Sequence, residues 1–192
     1  KLAYLRKDID KEKYLLKIQS LLALSDLVKK TLVTETQIQS ACSSFVDAKG
    51  SMFLGRGSSF PIALEGALKL KELSYLHAEG YPAGEMKHGP LALIEEGLPV
   101  IVIAPKDKYF EKTLSNMQEV IARGGKIIFI TDNRKLIGND NIRFGLRVPF
   151  LNNLLSPILL TTPLQLLAYH VALLKNCDID KPRNLAKSVT VE

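Results

Sequence analysis

The sequence predicts an α/β fold in which a parallel sheet is sandwiched between two layers of helices. Two near-continuous apolar runs, Leu98–Ala104 and Lys126–Thr131, are typical of parallel strands buried on both faces. Helical patterns lie between the predicted strands, and this alternation favours right-handed crossovers and an open sheet. We expect a helical connecting segment at 1–50, an α/β domain at 51–177 and an irregular tail at 178–192.

Two helices are predicted in the first fifty residues. In the first, between residues 10 and 30, apolar side chains recur at helical spacing with lysines opposite them: Leu15, Ile18 and Leu22. The second is predicted to open at Thr34 with a capping box to Gln37 and to end by Gly50. Its apolar stripe is typical of core packing and comprises Ile38, Ala41, Cys42, Phe45 and Val46. We therefore expect Cys42 to be a small buried hydrophobe.

Strands and helices alternate in the prediction from residue 51 onward. The predicted strands are Ser51–Leu54, Leu98–Ala104, Lys126–Thr131 and Ile142–Val148. The predicted helices are Ser59–Leu76, Lys108–Arg123 and one from Ser156 towards Lys175 that bends near Pro163. Ser58 and Ser59 offer N-cap hydroxyls to the first of them. The glycines and prolines of Glu79–Pro90 predict an ordered loop there.

Composition indicates a globular protein of the reducing cytoplasm. Hydrophobic residues make up 46% of the 192 residues, and the chain carries 26 basic and 20 acidic side chains, a net charge of +6. The basic residues are scattered and are not striped with aromatics, so nucleic acid is only weakly indicated; a phosphorylated substrate or an acidic partner domain suits them equally. Two cysteines make no disulfide framework. No signal peptide or apolar run of about 20 residues is found, and the first residue is not Met, so we expect a piece of a longer protein.

The side chains suited to chemistry are concentrated between residues 65 and 90. Glu65, Lys69 and Glu72 are spaced i, i+4 and i+7, so they share one face of the predicted helix. The predicted loop adds an acid, a cation and a histidine: Glu85, Lys87 and His88. This combination suits proton transfer on a small polar substrate. A solvated ion pair is the better explanation for Glu65, whereas spacing alone leaves Lys69 and Glu72 open between the two interpretations.

A glycine-rich turn, Gly55-Arg56-Gly57-Ser58-Ser59, connects the first predicted strand to its helix. Free N–H groups at such a helix N-terminus can bind a phosphate. Phe60 stands where a dinucleotide motif needs its third glycine, and no Gly-Lys-Ser/Thr follows, so neither NAD nor a nucleoside triphosphate is supported. A sugar-phosphate cradle and a simple tight turn remain equally good interpretations.

The remaining motifs exclude several kinds of site. The three histidines, His77, His88 and His170, have no metal-ligand spacing, and His170 on an apolar helix suggests a satisfied core histidine. No Gly-x-Ser-x-Gly nucleophile elbow occurs. We expect no metal and no cofactor. Isomerisation or imine formation on a carbonyl substrate fits this inventory of acids, bases and amines best.

Two motifs resemble those of one enzyme family. They are Ala-Glu-x-x-x-x-Gly-Glu-x-x-His-Gly-Pro, from Ala78 to Pro90, and the ending Arg-Asn-Leu-Ala-Lys-Ser-Val-Thr-Val-Glu, from Arg183. Both resemble the glucosamine-6-phosphate synthase family, the isomerising glutamine–fructose-6-phosphate aminotransferases. The resemblance covers nearly the whole chain and is weakest between Asn133 and Leu155. It implies that this chain is the second of two sugar-isomerase (SIS) subdomains, with a helical connection before that subdomain and a C-terminal tail after it.

The resemblance implies roles for five residues. Lys187 would form an imine with open-chain fructose 6-phosphate, and Ala186 would contact the substrate. His88 would assist ring opening, Glu72 would move a proton between C1 and C2, and Lys69 would assist at the C1 oxygen. Without the resemblance, Lys187 is most simply a frayed terminal lysine. In family members the His-Gly-Pro loop reaches the active site of a neighbouring subunit, which implies a homodimer.

The chain departs from the family in what it lacks. The family's main phosphate cradle, a Ser/Thr-rich loop of the first SIS subdomain, has no counterpart here, and neither has the N-terminal glutaminase domain with its cysteine. We therefore expect these residues alone to be inactive in the synthesis of glucosamine 6-phosphate, the first step of hexosamine biosynthesis. A non-catalytic SIS module that binds a sugar phosphate and regulates a partner is the alternative.

Overall fold

A computed structural model describes residues 1–133, 142, 144–149 and 151–185. The helices are α1 (Leu2–Leu5), α2 (Lys11–Leu32), α3 (Glu35–Ala41), α4 (Ser59–Ser74), α5 (Phe110–Ile121) and α6 (Ser156–Leu174). The strands are β1 (Gly50–Gly55), β2 (His77–Pro82), β3 (Pro99–Ile103), β4 (Lys126–Thr131) and β5 (Phe144–Arg147). Short 3₁₀ segments are formed by Cys42–Phe45, Ala83–His88 and Pro90–Leu93.

The five strands form one parallel sheet in the order β2-β1-β3-β4-β5. Helices cover both faces of this sheet, so the predicted α/β sandwich is confirmed. The order reverses between β1 and β3, and in open α/β sheets this is the place where ligands bind, beyond the carboxyl ends of the strands. The division into segments 1–50, 51–177 and 178–192 stays a prediction.

Two hydrophobic clusters flank the sheet. The first packs α3, α4 and α6 on one face and contains Phe53, Ile101 and Ile128; the second lies under α5 and contains Met52 and Phe129. Alternate residues of β1, β3 and β4 therefore enter opposite clusters, as expected for strands that are buried on both faces. Cys42 is buried in the first cluster, which confirms its predicted place.

Strand β2 corrects the sequence prediction, which placed an ordered loop from Glu79 onward. His77–Pro82 pairs in parallel with β1, from Gly50↔His77 to Gly55↔Pro82. The strand lies at the edge of the sheet, where a terminal proline is tolerated because one side of the strand needs no ladder partner. The loop prediction also missed the 3₁₀ segments Ala83–His88 and Pro90–Leu93.

Helix capping differs from the predictions as well. The hydroxyl of Thr34 donates to the carbonyl of Thr31 at 2.7 Å instead of closing a capping box with Gln37. Neither Ser58 nor Ser59 makes a side-chain cap on α4, and the Ser59 Oγ is buried without a hydrogen-bond partner. Both N-cap residues, Thr34 and Ser58, have a helical backbone with ψ of −1° and −18° in place of the extended backbone typical of a side-chain cap.

The apolar row predicted on the first helix is exposed. Leu15, Ile18 and Leu22 of α2 reach the surface, Leu22 with 75% of its area, and Leu16 and Leu21 are exposed beside them. The opposite side of the same helix packs on the core through Leu24, Leu27 and Val28. Helix α2 therefore has apolar side chains on two sides.

Helix α6 is the one described helix that is long and apolar enough to cross a membrane by length and composition. Half of its most apolar window is buried inside the protein, where α6 packs against α2, α3 and α4. Such burial is typical of a core helix. Pro163 lies inside the helix and is itself buried.

Candidate functional site

The predicted acid–base residues of α4 form one ion-paired group. Lys69 Nζ lies 2.8 Å from Glu72 Oε2 and 3.8 Å from Glu65 Oε1. The side chains of Lys69 and Glu72 are 33% and 28% exposed, so both are half-buried and reachable from solvent. The hydrogen bond to Glu72 raises the pKa of Lys69 above its usual range, and this outweighs the opposing effect of burial. Lys69 is therefore a charged donor at neutral pH.

Two glycines, Gly66 of α4 and Gly80 of β2, allow α4 to pack closely against its neighbours. A Cβ on Gly66 would lie 2.8 Å from Leu164 of α6 and 2.9 Å from the Phe53 ring of β1. On β2, a Cβ on Gly80 would lie 2.9 Å from the backbone of Leu64. These close approaches fix the rotation of α4 and direct Glu65, Lys69 and Glu72 away from the sheet.

His88 lies at the end of the 3₁₀ segment Ala83–His88, which is anchored by the fully buried side chains of Ala83 and Met86. Its Nε2 is 3.8 Å from Glu85 Oε2, and 74% of its side chain is exposed. No hydrogen bond or ion pair between these described residues joins His88 to Lys69 or Glu72. The structure therefore brings Lys69 and Glu72 together, whereas His88 is paired with neither of them among the described contacts.

Ala186 and Lys187 lie outside the described residues, so their predicted roles stay predictions. The described part of the tail lies against the end of α4. The Arg183 backbone N–H donates to the Tyr75 hydroxyl at 2.7 Å, and the Arg183 guanidinium lies 4.1 Å from the centre of the Tyr75 ring. Sequence reasoning missed this contact, since nothing in the sequence relates two residues so far apart.

The glycine-rich turn lies at the switch point between β1 and β3. A Cβ on Gly55 would lie 2.1 Å from the Ser59 carbonyl oxygen, and Gly57 has φ +58°, so the tight turn alone requires both glycines. A cavity of about 610 Å³ opens beside it and is lined by Gly57, Ser58, Lys106, Asp107, Lys108, Tyr109 and Asn153. Both interpretations of the turn therefore stay open.

The other histidine predictions can be compared with the structure directly. His170 is only 10% exposed in its side chain, and its Nε2 lies 3.0 Å from Glu35 Oε1, so it is a satisfied histidine at the edge of the core. His77 lies on β2 with its Nε2 3.5 Å from Glu79 Oε1. Within the described ranges, no group of three or more His, Cys, Asp or Glu residues is placed to hold a metal ion.

Comparison with known proteins identifies the fold family. The family model of the SIS domain matches residues 44–175. This chain belongs to the SIS domain family. The matched region runs from the 3₁₀ segment Cys42–Phe45 to the end of α6 and contains the whole sheet, the Lys69–Glu72 pair and His88.

The SIS domain has relatives of much greater length. It is 53% identical over 177 residues to the isomerising glutamine–fructose-6-phosphate aminotransferase of Bartonella quintana. It is 51% identical over 176 residues to the enzyme of the same name from Escherichia coli. Each alignment covers 91% of this chain and 29% of the relative. The chain thus corresponds to less than a third of these enzymes.

One solved structure gives the same result in three dimensions. The C-terminal domain of glucosamine-fructose-6-phosphate aminotransferase from Francisella tularensis superposes with a TM-score of 0.86 at 42% identity. The superposition covers 93% of this chain and 50% of that domain. The expected correspondence to one SIS subdomain of the isomerase region is confirmed.

Proposed function

We propose that this SIS domain supplies the acid–base part of an isomerising glutamine–fructose-6-phosphate aminotransferase. The observation that carries the proposal is the Lys69–Glu72 pair, a carboxylate and a protonated amine 2.8 Å apart on an accessible face of α4. Enolisation of a sugar needs a base at the carbon acid and a cation at the developing oxyanion. The identity of 51–54% to enzymes of that name supports the proposal.

The proposed chemistry divides the work among four side chains. The Lys187 amine attacks the C2 carbonyl of open-chain fructose 6-phosphate, and the imine forms with loss of water. Ammonia then displaces the Lys187 amine from C2, which frees the lysine and leaves the C2 imine of fructose 6-phosphate. Glu72 takes the proton from C1 and returns it at C2, while Lys69 donates to the oxygen at C1. His88 moves the proton that opens the sugar ring, and Ala186 contacts the substrate. No step in this scheme needs a metal ion or cofactor.

The test uses the complete polypeptide that contains this chain. Glu72→Gln keeps the shape of the side chain and removes the base, so isomerisation should slow by about 10²–10⁴-fold while sugar binding changes little. Asp26→Asn is the matched control, because Asp26 forms an i, i+3 pair with Lys29 on α2, with Lys29 Nζ 3.3 Å from Asp26 Oδ1. Near-normal synthesis of glucosamine 6-phosphate by Glu72→Gln would contradict the proposal.

We also propose a homodimer in which His88 acts in the partner's site. Among the described contacts His88 is paired with neither Lys69 nor Glu72, and its side chain is 74% exposed, as suits a residue that reaches a neighbouring subunit. The exposed Leu93 in the next 3₁₀ segment offers apolar contact area beside it. Mixing Glu72→Gln and His88→Ala subunits should restore activity if the two residues act across the interface.

The remaining partners are further parts of a longer polypeptide. The chain covers 29% of the curated relatives and half of the solved C-terminal domain. The exposed apolar side chains of α2 suit packing against a first SIS subdomain, which would supply the main phosphate cradle. A glutaminase domain would supply ammonia. We propose a cytoplasmic enzyme that opens the hexosamine pathway.

The cavity at the switch point favours a second candidate function, a SIS module that binds a sugar phosphate without catalysis. Arg56, Lys106 and Lys108 surround the N-terminus of α4 there, and such an end attracts anions. Sugar-phosphate binding that is lost in Lys106→Gln/Lys108→Gln, with no activity dependent on Glu72, would favour this alternative.

A further inference from the structure

We propose that Tyr75 is a positioning residue that clamps the tail through Arg183 so that Lys187 reaches Glu72; this inference rests on the proposed function of Lys187. Tyr75 follows the last residue of α4, three positions after Glu72. Arg183 precedes Lys187 by four positions. The contact between Tyr75 and Arg183 thus links the end of the helix that carries the proposed base, Glu72, to the tail segment that carries the proposed amine, Lys187.

Two different interactions make up the clamp. The Arg183 backbone N–H donates to the Tyr75 hydroxyl at 2.7 Å, which fixes the tail backbone and is independent of the Arg183 side chain. The Arg183 guanidinium carbon lies 4.1 Å from the centre of the Tyr75 ring, within the range of a cation–π contact. A single aromatic side chain therefore holds both the main chain and the side chain of one tail residue.

The backbone of Tyr75 is held in a conformation that its side chain disfavours. Its φ of 58° and ψ of 12° lie in the left-handed region, and its N–H donates to the Lys71 carbonyl to end α4. Glycine or asparagine normally occupies this capping position, because a side chain with a Cβ is strained there. A bulky aromatic residue at such a place points to a task beyond ending the helix.

The tail is guided to Tyr75 by further contacts. The Asp178 carboxylate accepts from the backbone N–H groups of Asp180 and Lys181, at 3.1 and 3.0 Å, and so turns the chain after α6. Just before this turn, Cys177 Sγ lies 3.9 Å from the carbonyl oxygen of Ser74, the last residue of α4. The tail is therefore attached to the end of α4 both before and after the turn.

Chain geometry shows what the clamp achieves. Four residues span at most about 14 Å when fully extended, so a tail held at Tyr75 through Arg183 keeps Lys187 within about that reach of the clamped residue at the end of α4. Along α4, three residues correspond to about 4.5 Å, so Glu72 lies one turn from the clamp. The lysine side chain adds its own length. A tail released from Tyr75 would no longer be held near the end of α4. The effective concentration of the Lys187 amine at the substrate carbonyl would then fall, and the imine would form more slowly.

The experiment again uses the complete polypeptide. Fructose 6-phosphate is trapped on the protein with borohydride, and the rate of labelling of Lys187 is followed by mass spectrometry. Tyr75→Phe removes the acceptor and keeps the ring, Tyr75→Gly removes the clamp and relieves the backbone, and Tyr14→Phe is the matched control on α2. We expect labelling to fall by about 10–100-fold in Tyr75→Gly, less in Tyr75→Phe and not at all in the control.

Stability and hydrogen exchange separate positioning from a structural role. Because glycine suits the left-handed backbone, the melting temperature of Tyr75→Gly should equal or exceed that of the wild type while its labelling falls. The Arg183 amide should exchange faster in both Tyr75 variants. If both variants are labelled at the wild-type rate, the proposed clamp is wrong, whereas the proposed role of Lys187 stands. Wild-type labelling on a lysine other than Lys187 would overturn the proposed function and the clamp with it.

Discussion

Lys87 Nζ lies 3.1 Å from Glu119 Oε1, an ion pair that ties the 3₁₀ segment carrying His88 to α5. The Glu119 side chain is only 22% exposed, and its other carboxylate oxygen is buried without a hydrogen-bond partner in the structure as described. We therefore expect this pair to contribute more to the free energy of unfolding than a surface ion pair does, because loss of the cation leaves a half-buried carboxylate unpaired. The exposed side chain of His88 does not anchor the 3₁₀ segment Ala83–His88, whereas the neighbouring Lys87 ties that segment to α5.

We predict a measurable coupling between Lys87 and Glu119. A double-mutant cycle with Lys87→Met and Glu119→Gln, followed by urea unfolding, should give about 1 kcal/mol, the upper end for exposed pairs. The Lys29–Asp26 pair is the control, since its side chains are 73% and 75% exposed and its coupling should be smaller. Backbone amides of residues 83–88 should exchange faster in Glu119→Gln. Equal coupling in the two pairs would show that Glu119 does not hold the segment.

Periodicity predicted the parts of the molecule that depend on local spacing. The shared face of Glu65, Lys69 and Glu72 follows from helical pitch alone, and the structure pairs all three. The buried strands Pro99–Ile103 and Lys126–Thr131 were equally clear from their apolar runs. Each of these patterns is contained in a short stretch of sequence, so it can be recognised without knowing which other element packs against that stretch.

Features created by tertiary contacts could not be predicted in the same way. His77–Pro82 is a strand because it pairs with β1, whereas its own glycine and proline predict a loop. The Tyr75–Arg183 contact joins residues 108 positions apart, and no local pattern relates them. The Leu15, Ile18 and Leu22 row predicts a helix correctly, but periodicity cannot say whether core or another domain covers it.

We predict that Cys42 is inert to alkylation in the folded protein. Burial raises the pKa of its thiol to about 12, so little thiolate forms at neutral pH. Iodoacetamide should modify the partly exposed Cys177 first, and modification of Cys42 should follow the unfolding rate. Rapid modification of Cys42 at pH 8 in folded protein would contradict its buried environment.

The same raised pKa predicts how stability depends on alkaline pH. The native state keeps the Cys42 proton above pH 9.0, where the unfolded thiol loses it, so the contribution is complete below pH 9.0 and declines as the pH rises towards 12. The decline should approach about 1.4 kcal/mol per pH unit. Cys42→Ala lacks this group, so its free energy of unfolding should fall less steeply than that of the wild type over the same range.

The raised pKa of Lys69 predicts which lysine can form the imine. Its hydrogen bond to Glu72 favours the ammonium form, and an amine that stays protonated cannot attack a carbonyl. Lysine Nζ NMR should therefore show Lys69 titrating above 10.5, and Glu72→Gln should lower its pKa because the bond to a charged acceptor is lost. The contribution of the raised Lys69 pKa to stability is present at neutral pH and is lost as the pH rises through the pKa of folded Lys69. Glu35→Gln, which alters a carboxylate near His170, serves as the control and should leave Lys69 unchanged. An unchanged Lys69 pKa in Glu72→Gln would show that Glu72 does not hold the ammonium form. Borohydride labelling of Lys69 by fructose 6-phosphate would show that this lysine is a nucleophile and not the cation beside the base.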